Sequence, residues 1–177
     1  MQGFVTVNGK RVKKADIQAD NGMIHLMSSV MYPLPTGNIA EVVTADQRFS
    51  TLLAAVVEAD LVETLSSGGP FTVFAPTNDA FAKIAEDDLN ALLADKEALA
   101  RVLLRHVVPG AVFFNGMTWD ILDTAGGVEE DMIATQRFRG GVVKVVSSVN
   151  GTRTGAKAVE ADIIATNGVI HAIDTVI

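Results

Sequence analysis

The sequence contains no cysteine, and this absence excludes several classes of site. Disulfide bridges, zinc–thiolate centres and thiol nucleophiles all require cysteine sulfur. The absence does not assign a cellular compartment, because secreted domains with an adequate core also fold without bridges. Candidate sites must therefore be sought among oxygen- and nitrogen-bearing side chains.

Long apolar runs and clustered positive charge are missing as well. The sequence has no stretch of about 18 consecutive apolar residues, so it predicts no membrane-spanning segment. The net charge is −7, and no basic cluster is present that would bind a phosphate backbone. A nucleic-acid partner is therefore not expected.

A segment near the amino terminus is repeated near the carboxyl terminus. Residues 15–25 (ADIQADNGMIH) match residues 161–171 (ADIIATNGVIH) at a spacing of 146 residues. Upstream, residues 7–9 match residues 149–151 at a spacing of 142, so the later copy contains four additional residues. Both copies carry Asn-Gly between β-rich arms, which suits a tight hairpin turn. Each copy is predicted to form a strand, a turn and a strand.

The positions of the two copies divide the chain. The second copy ends at Ile177, whereas the first is followed by a Pro- and Gly-rich stretch typical of a linker. The sequence therefore predicts that residues 1–33 are the carboxyl-terminal hairpin of a preceding repeat. Residues 34–37 are the predicted linker, and residues 38–177 the one complete domain. A parent protein built as a tandem array is expected.

The order of secondary structure within the complete domain indicates an α+β fold. Asn38 is a suitable helix N-cap, and apolar residues recur at helical spacing after it. Gly68-Gly69-Pro70 interrupts this pattern and precedes the short apolar run 71–75, which is typical of a buried strand. Further helices are predicted around residues 80–84, 89–93 and 99–107. Strands are predicted around residues 113–114, 133–134, 141–148, 159–165 and 169–176.

Three motifs resemble the signature boxes of the fasciclin domain family, and they occur in the family's order. They are GPFTVFAPTNDAF at residues 69–81, LLRHVVPG at residues 103–110 and NGVIHAID at residues 167–174. The resemblance implies a β-wedge or sandwich with helices packed around it. It also implies a non-enzymatic module, without a cofactor, that acts in cell adhesion.

The resemblance locates two candidate adhesion segments. The first falls on Arg105 and His106, where the family has a Tyr-His pair, so that Arg105 replaces the tyrosine. The second falls on Glu160, Asp162, Ile163 and Ile164, where the family has Glu-Pro-Asp-Ile-Met. Strand alternation predicts that Asp162 is more exposed than Ile163. The polar turn at residues 77–79 is predicted to lie close to His106, because its capping groups need partners.

The function implied by the family is an extracellular or cell-surface adhesion module in a tandem array. Its partners would be cell-surface or matrix proteins, with an integrin-type receptor as one candidate. The tail at residues 1–33 is expected to dock on the complete domain or to mediate self-association. The alternative is a secreted binding module for a small apolar ligand or a polysaccharide. A lipid or partner groove is one interpretation of Leu52, Leu53, Val56 and Val57; the other is a core-facing side of a helix.

The sequence gives little indication of a catalytic site or a metal site. The three histidines, His25, His106 and His171, are not spaced as metal ligands, and no nucleophile elbow is present. The predicted role of His106 and His171 is a partly buried ring that hydrogen-bonds to backbone or a hydroxyl. Asn150 begins an Asn-Gly-Thr triplet and is a candidate for N-glycosylation.

Overall fold

The computed structural model describes residues 5–30, 35–114, 119–126, 132–137, 143–149 and 152–177. The first of these ranges forms a separate three-stranded antiparallel sheet, which we call the tail. Its strands are β1 (Thr6–Val7), β2 (Lys10–Ala19) and β3 (Gly22–Met27). Asn8 and Gly9 connect β1 to β2 with positive φ angles, as the Asn-Gly sequence predicts.

Helices predominate in the part of the chain between residues 38 and 106. They are α1 (Ile39–Ala45), α2 (Ser50–Glu58), α3 (Val62–Ser67), α4 (Asn78–Phe81), α5 (Glu86–Ala94) and α6 (Lys96–Arg105), with a 3₁₀ turn at Gln47–Phe49. Asn38 is the N-cap of α1, as predicted. Its side chain accepts a bond from the Glu41 amide, while the Glu41 carboxylate accepts one from the Asn38 amide. This reciprocal capping satisfies two amides that the helix itself leaves unpaired.

A mixed sheet takes one strand from between α3 and α4 and its other strands from the chain after α6. It adds β4 (Phe71–Pro76), β5 (Val107–Pro109), β6 (Trp119–Asp123), β7 (Met132–Arg137), β8 (Val143–Val149), β9 (Thr152–Ala165) and β10 (Gly168–Ile173). The spatial order is β5-β4-β10-β9-β8-β7-β6. Strands β4 and β10 are parallel, with Gly168 opposite Phe71, and the other neighbours are antiparallel. The first and last signature motifs therefore contain adjacent strands in the interior of the sheet.

Two apolar clusters hold the domain together. One lies between the helices and the central strands and includes Ile39, Phe49, Leu52, Leu99 and Ile170. The other lies within the wedge of strands and includes Phe74, Phe114, Ile133, Val145 and Ile173. Complete burial of one such side chain contributes roughly 1.5–3 kcal/mol, so these clusters are the principal source of stability.

Several local predictions need correction. Residue Val107 was expected to end a helix, but it begins β5 and pairs with Val73, because the edge of β4 is open to it. Residues 113–114 form a loop rather than a strand, and β6 was not predicted. Val57 is 58% exposed and does not belong to the core face of α2. Its position is about 140° around the helix from Leu52, which is buried.

Within the ranges that the structure describes, no helix is both long and apolar enough to span a membrane.

Candidate functional site

The closing hairpin contains an irregularity at the second adhesion segment. Asp162 has a φ of 60°, and the β9–β10 register shifts between Ile170 and Ala172. The Asp162 amide donates a hydrogen bond to Nδ1 of His171 at 3.1 Å. A bulge of this kind bends a strand and changes the direction of a side chain. Here it turns the Asp162 carboxylate towards the loop at residues 112–114.

The tail reproduces this irregularity in its own strands. Asp16 has a φ of 55°, its amide donates to Nδ1 of His25 at 3.1 Å, and the β2–β3 register shifts between Lys14 and Ile17. Strand β3 has the same bounds as β10 at a spacing of 146 residues. The two copies detected in the sequence therefore share a local geometry, and the predicted strand–turn–strand structure is confirmed for both.

The bulge changes the exposure expected of Asp162. Its side chain is only 16% exposed, and its Oδ1 accepts a hydrogen bond from the Phe114 amide at 2.9 Å. Asp162, Ile163 and Ile164 are all half-buried. Strict alternation, on which the predicted exposure of Asp162 depends, does not continue through the bulge. Ile163 instead packs against the helical core cluster.

His171 lies beneath this bulge as a neutral ring. Its Nε2 donates to the Val112 carbonyl at 2.9 Å, while Nδ1 accepts the Asp162 amide. The ring stacks on Phe114 with centroids 3.9 Å apart and an interplanar angle of 5°. Burial lowers the pKa of His171, although the Val112 carbonyl and the Asp162 carboxylate act in the opposite direction. The ring is thus a structural link between β10 and the loop.

His106, from the first adhesion segment, is also part of the core. His106 is only 2% exposed. Its Nδ1 donates a hydrogen bond to the Val102 carbonyl at 2.7 Å. Its Nε2 accepts the Ile177 amide at 3.0 Å. Burial lowers the pKa of His106 to about 4, so the ring is neutral at pH 7. Both histidines therefore have the buried, backbone-bonded role predicted for them, and the His106 ring does not face solvent.

The polar turn at residues 77–79 has partners other than His106. Oδ1 of Asn78 accepts the Thr51 amide at 3.0 Å, and its Nδ2 donates to the Gln47 carbonyl at 2.9 Å. The Thr77 amide donates to the Ile173 carbonyl. The start of α2 and the end of β10 therefore supply the partners of this turn. The predicted proximity of His106 to the turn stays a prediction.

Glu160 is the exposed member of the second segment. Its side chain is 49% exposed, and Oε2 contacts Nη1 of Arg48 at 2.7 Å. Arg48 also bonds to Asp46, and this hydrogen bond lowers the pKa of Asp46. Ion pairs between exposed groups contribute about 0–1 kcal/mol, so these charges remain available to a competing partner.

A groove adjoins Glu160, and we call it the charged groove. Its volume is about 540 Å³, and it is lined by Arg48, Thr77, Asn78, Asp79, Lys83, Val159 and Asp174. Nζ of Lys83 lies 3.6 Å from Oδ2 of Asp174. Burial would raise the pKa of Asp174, but bonds from the Lys157 amide, Thr175 and Lys83 outweigh it and lower the pKa. The groove thus presents both charge signs beside an exposed apolar residue, Val159.

Sequence reasoning identified only part of this groove. Residues 77–79 belong to the first signature motif, and Glu160 was a candidate, but Arg48, Lys83 and Asp174 were not singled out. Their convergence depends on the pairing of β4 with β10, which no local pattern reveals. Among the described residues, no group of three or more His, Asp or Glu side chains could hold a metal ion.

An apolar cavity lies between the helices and β4. Its volume is about 70 Å³, and Leu52, Leu53, Val56, Phe71 and Leu103 are among its walls. An engineered cavity that binds benzene has a volume of about 150 Å³. The present cavity is therefore too small for a lipid chain, and it does not favour the alternative of an apolar-ligand module. Asn150, the candidate glycosylation site, lies outside the described residues.

Known proteins resemble this chain in sequence. The profile of the Fasciclin domain matches residues 47–177. The transforming growth factor-beta-induced protein ig-h3 of Oryctolagus cuniculus is 36% identical over 174 residues, which cover 97% of this chain and 24% of that protein. Human periostin is 34% identical over 172 residues, which cover 96% of this chain and 19% of periostin. The chain thus spans less than a quarter of either animal relative.

A bacterial relative and a solved structure complete the comparison. The uncharacterized protein sll1735 of Synechocystis is 43% identical over 140 residues, or 79% of this chain and 96% of that protein. The structure of a FAS1 domain pair from the insect cell adhesion molecule fasciclin I superimposes with a TM-score of 0.64 at 20% identity. It covers 96% of this chain and 60% of that chain, which confirms the predicted α+β wedge. The chain belongs to the fasciclin domain family.

Proposed function

We propose that the chain is an extracellular adhesion or matrix-binding module whose receptor-facing surface is the charged groove together with Glu160. Its family consists of non-enzymatic adhesion proteins, so the chain is not an enzyme. The observation that carries the proposal is the convergence of exposed Arg48, Lys83, Glu160 and Val159 on one open surface. The partners are cell-surface or matrix proteins, with an integrin-type receptor as one candidate.

The physical character of the groove suits a protein partner. Exposed charges of both signs select a complementary surface, and Arg48, which pairs with both Asp46 and Glu160, can exchange the exposed Glu160 carboxylate for one on the partner. Val159 is 58% exposed and supplies apolar area among the polar residues that line the groove. One such site binds weakly, but tandem repetition multiplies weak sites through their high effective concentration.

The same proposal assigns the parts of the chain. Residues 1–33 are the closing hairpin of a preceding repeat, residues 34–37 the linker and residues 38–177 the complete domain. Support comes from the shared bulge geometry of the tail and the closing hairpin. Met23, Ile24, Leu26 and Val30 of the tail are exposed, as expected for a hairpin without the remainder of its own repeat. In an extracellular array, Asn150 would be open to glycosylation as part of its Asn-Gly-Thr triplet.

Attachment of cells to the immobilised chain tests the receptor surface. We expect the double variant Val159→Ser/Glu160→Ala to weaken attachment about tenfold, since a loss of 1.4 kcal/mol in binding corresponds to that factor. Glu58→Ala, an exposed change on α2, is the matched control and should leave attachment unaltered. Surface changes of this kind alter stability by about 0.5 kcal/mol or less, so folding is preserved. Unchanged attachment by the folded double variant would refute the assignment of the groove.

Removal of the tail tests the proposed boundary. A chain that begins at Pro35 is expected to keep its circular dichroism spectrum and to change its midpoint of thermal unfolding by less than about 4 °C. The reason is that the two core clusters consist of residues from position 39 onwards. Any self-association of the full chain, measured by sedimentation, should disappear because the exposed edge and apolar face of the tail are gone. Unfolding of the shortened chain would place the tail inside the core instead.

A further inference from the structure

The tip of the tail hairpin contacts the complete domain. Gly9 is buried although its neighbours Val7 and Asn8 are exposed. A Cβ atom added to Gly9 would lie 3.0 Å from Oδ2 of Asp162 and 3.0 Å from Cδ1 of Phe113. The backbone at Gly9 therefore packs directly on these two side chains.

The receiving surface is fixed by bonds within the complete domain. The Val112 amide donates to Oγ1 of Thr72 at 2.8 Å, and the Val112 carbonyl accepts from His171 at 2.9 Å. The Phe114 amide donates to Oδ1 of Asp162, so the second carboxylate oxygen of Asp162 faces Gly9. Three anchors on residues 112–114 hold Phe113 in place between them. Such preorganisation reduces the entropy lost when a hairpin tip docks.

The tip itself requires glycine. Gly9 has a φ of 71°, in the left-handed region that favours glycine, and the space a side chain would need is taken by Phe113 and Asp162. Asp16, the repeat equivalent of Asp162, provides a comparison within the same molecule. Its amide makes the same bond to a histidine, yet its carboxylate is 75% exposed. Both aspartates thus make the same backbone bond within their bulges. The Asp162 carboxylate is in addition covered by the hairpin tip at Gly9.

From this contact we propose that Phe113 and Asp162 form an acceptor for the Asn-Gly hairpin tip of a preceding repeat. The occupant is the segment 8–9 of this chain, and the contact fixes the orientation of consecutive repeats. This inference rests on the tandem arrangement proposed above. It separates two roles on β9: Asp162 belongs to the joint between repeats, while Glu160, two residues earlier, remains 49% exposed for a receptor.

Distance measurements on the full chain test the acceptor. Because the sequence has no cysteine, the exposed positions Met23→Cys and Glu97→Cys provide two unique attachment points for spin labels. The otherwise unchanged chain is expected to give a single narrow distance distribution. Gly9→Ala and Phe113→Ala should each abolish the narrow peak and replace it with a broad distribution. The first variant places a Cβ atom against Phe113 and Asp162, and the second removes the Phe113 ring from the contact.

Matched controls separate the joint from its local structure. Asp162→Ala should also abolish the narrow peak, whereas Asp16→Ala should retain it. Gly110→Ala tests backbone strain alone, because Gly110 has a φ of 97° and no atom of the described residues lies within 4 Å of its added Cβ. The narrow peak should persist in this variant. Gly9→Ala changes only the tail, so this variant remains informative if a change in the domain impairs folding. A narrow peak that persists in both Gly9→Ala and Asp162→Ala would overturn the proposal. The distances are independent of receptor attachment, so failure of the charged-groove proposal would leave them unchanged.

Discussion

Replacement of Gly168 by alanine is expected to destabilise the fasciclin domain by about 3 kcal/mol or more, because overlap with a fixed backbone cannot be relieved locally. An added Cβ would lie 2.0 Å from the Phe71 carbonyl oxygen and 2.9 Å from Cδ1 of Ile39. Phe71 is the parallel partner of Gly168 at the start of the β4–β10 pairing. Relief of the overlap would therefore separate β4 from β10. Urea unfolding followed by circular dichroism measures the loss.

Gly22 provides the matched control for this substitution. It is the repeat equivalent of Gly168 and begins β3 as Gly168 begins β10. Among the described residues, no atom lies within 4 Å of a Cβ added to Gly22, because within them β3 lacks a partner strand on the side that β4 occupies beside β10. Gly22→Ala is expected to change the free energy of unfolding by less than about 1 kcal/mol. Equal losses in both variants would show that the strand pairing at Gly168 is not the source of the effect.

Elements with a strong local signal were predictable from the sequence. Asn38 with Glu41 three residues later encodes the start of α1, since both partners of the capping box are adjacent in sequence. The apolar run before Pro76 gives β4, which is buried along most of its length. The duplicated segments gave both hairpins, because a repeated sequence implies a repeated local structure. These features depend on neighbours within a few residues.

Features created by distant residues were not predictable in this way. Strand β5 follows directly from α6, and Val107 adopts a strand only because Val73 offers a free edge. The charged groove combines residues 48, 83, 159 and 174, which only the folded sheet brings together. Asp162 lies in a segment that alternates like an ordinary strand, yet its φ of 60° turns the side chain towards residues 112–114. In each case a tertiary partner determines the local conformation.

Acidification from pH 7 to pH 4 is expected to destabilise the domain by about 3 kcal/mol through His106 alone. Burial lowers the pKa of His106 to about 4 in the folded state, against an unperturbed pKa near 6.5. Below pH 6.5 the unfolded chain binds a proton that the folded chain does not, so stability falls until the folded pKa is reached. Burial also lowers the pKa of His171, and this histidine acts with the same sign. The lowered pKa values of Asp46 and Asp174 act later, below their ordinary value of 3.8.

Substitution of His106 distinguishes its contribution to the pH dependence of stability from the contributions of the other titrating groups. His106→Gln should lower the free energy of unfolding at pH 7, because the hydrogen bonds to Val102 and Ile177 are weakened. The same variant should flatten the pH dependence of the free energy of unfolding between pH 6.5 and pH 4. His25→Gln, at an exposed ring of the tail, is the matched control and should keep the full slope. Urea unfolding at half-unit pH intervals measures both properties for each chain. If His106→Gln retains the slope of the unchanged protein, the acid sensitivity arises elsewhere. If His171→Gln alone flattens it, the bulge at Asp162 rather than the end of α6 is the element that acid opens first.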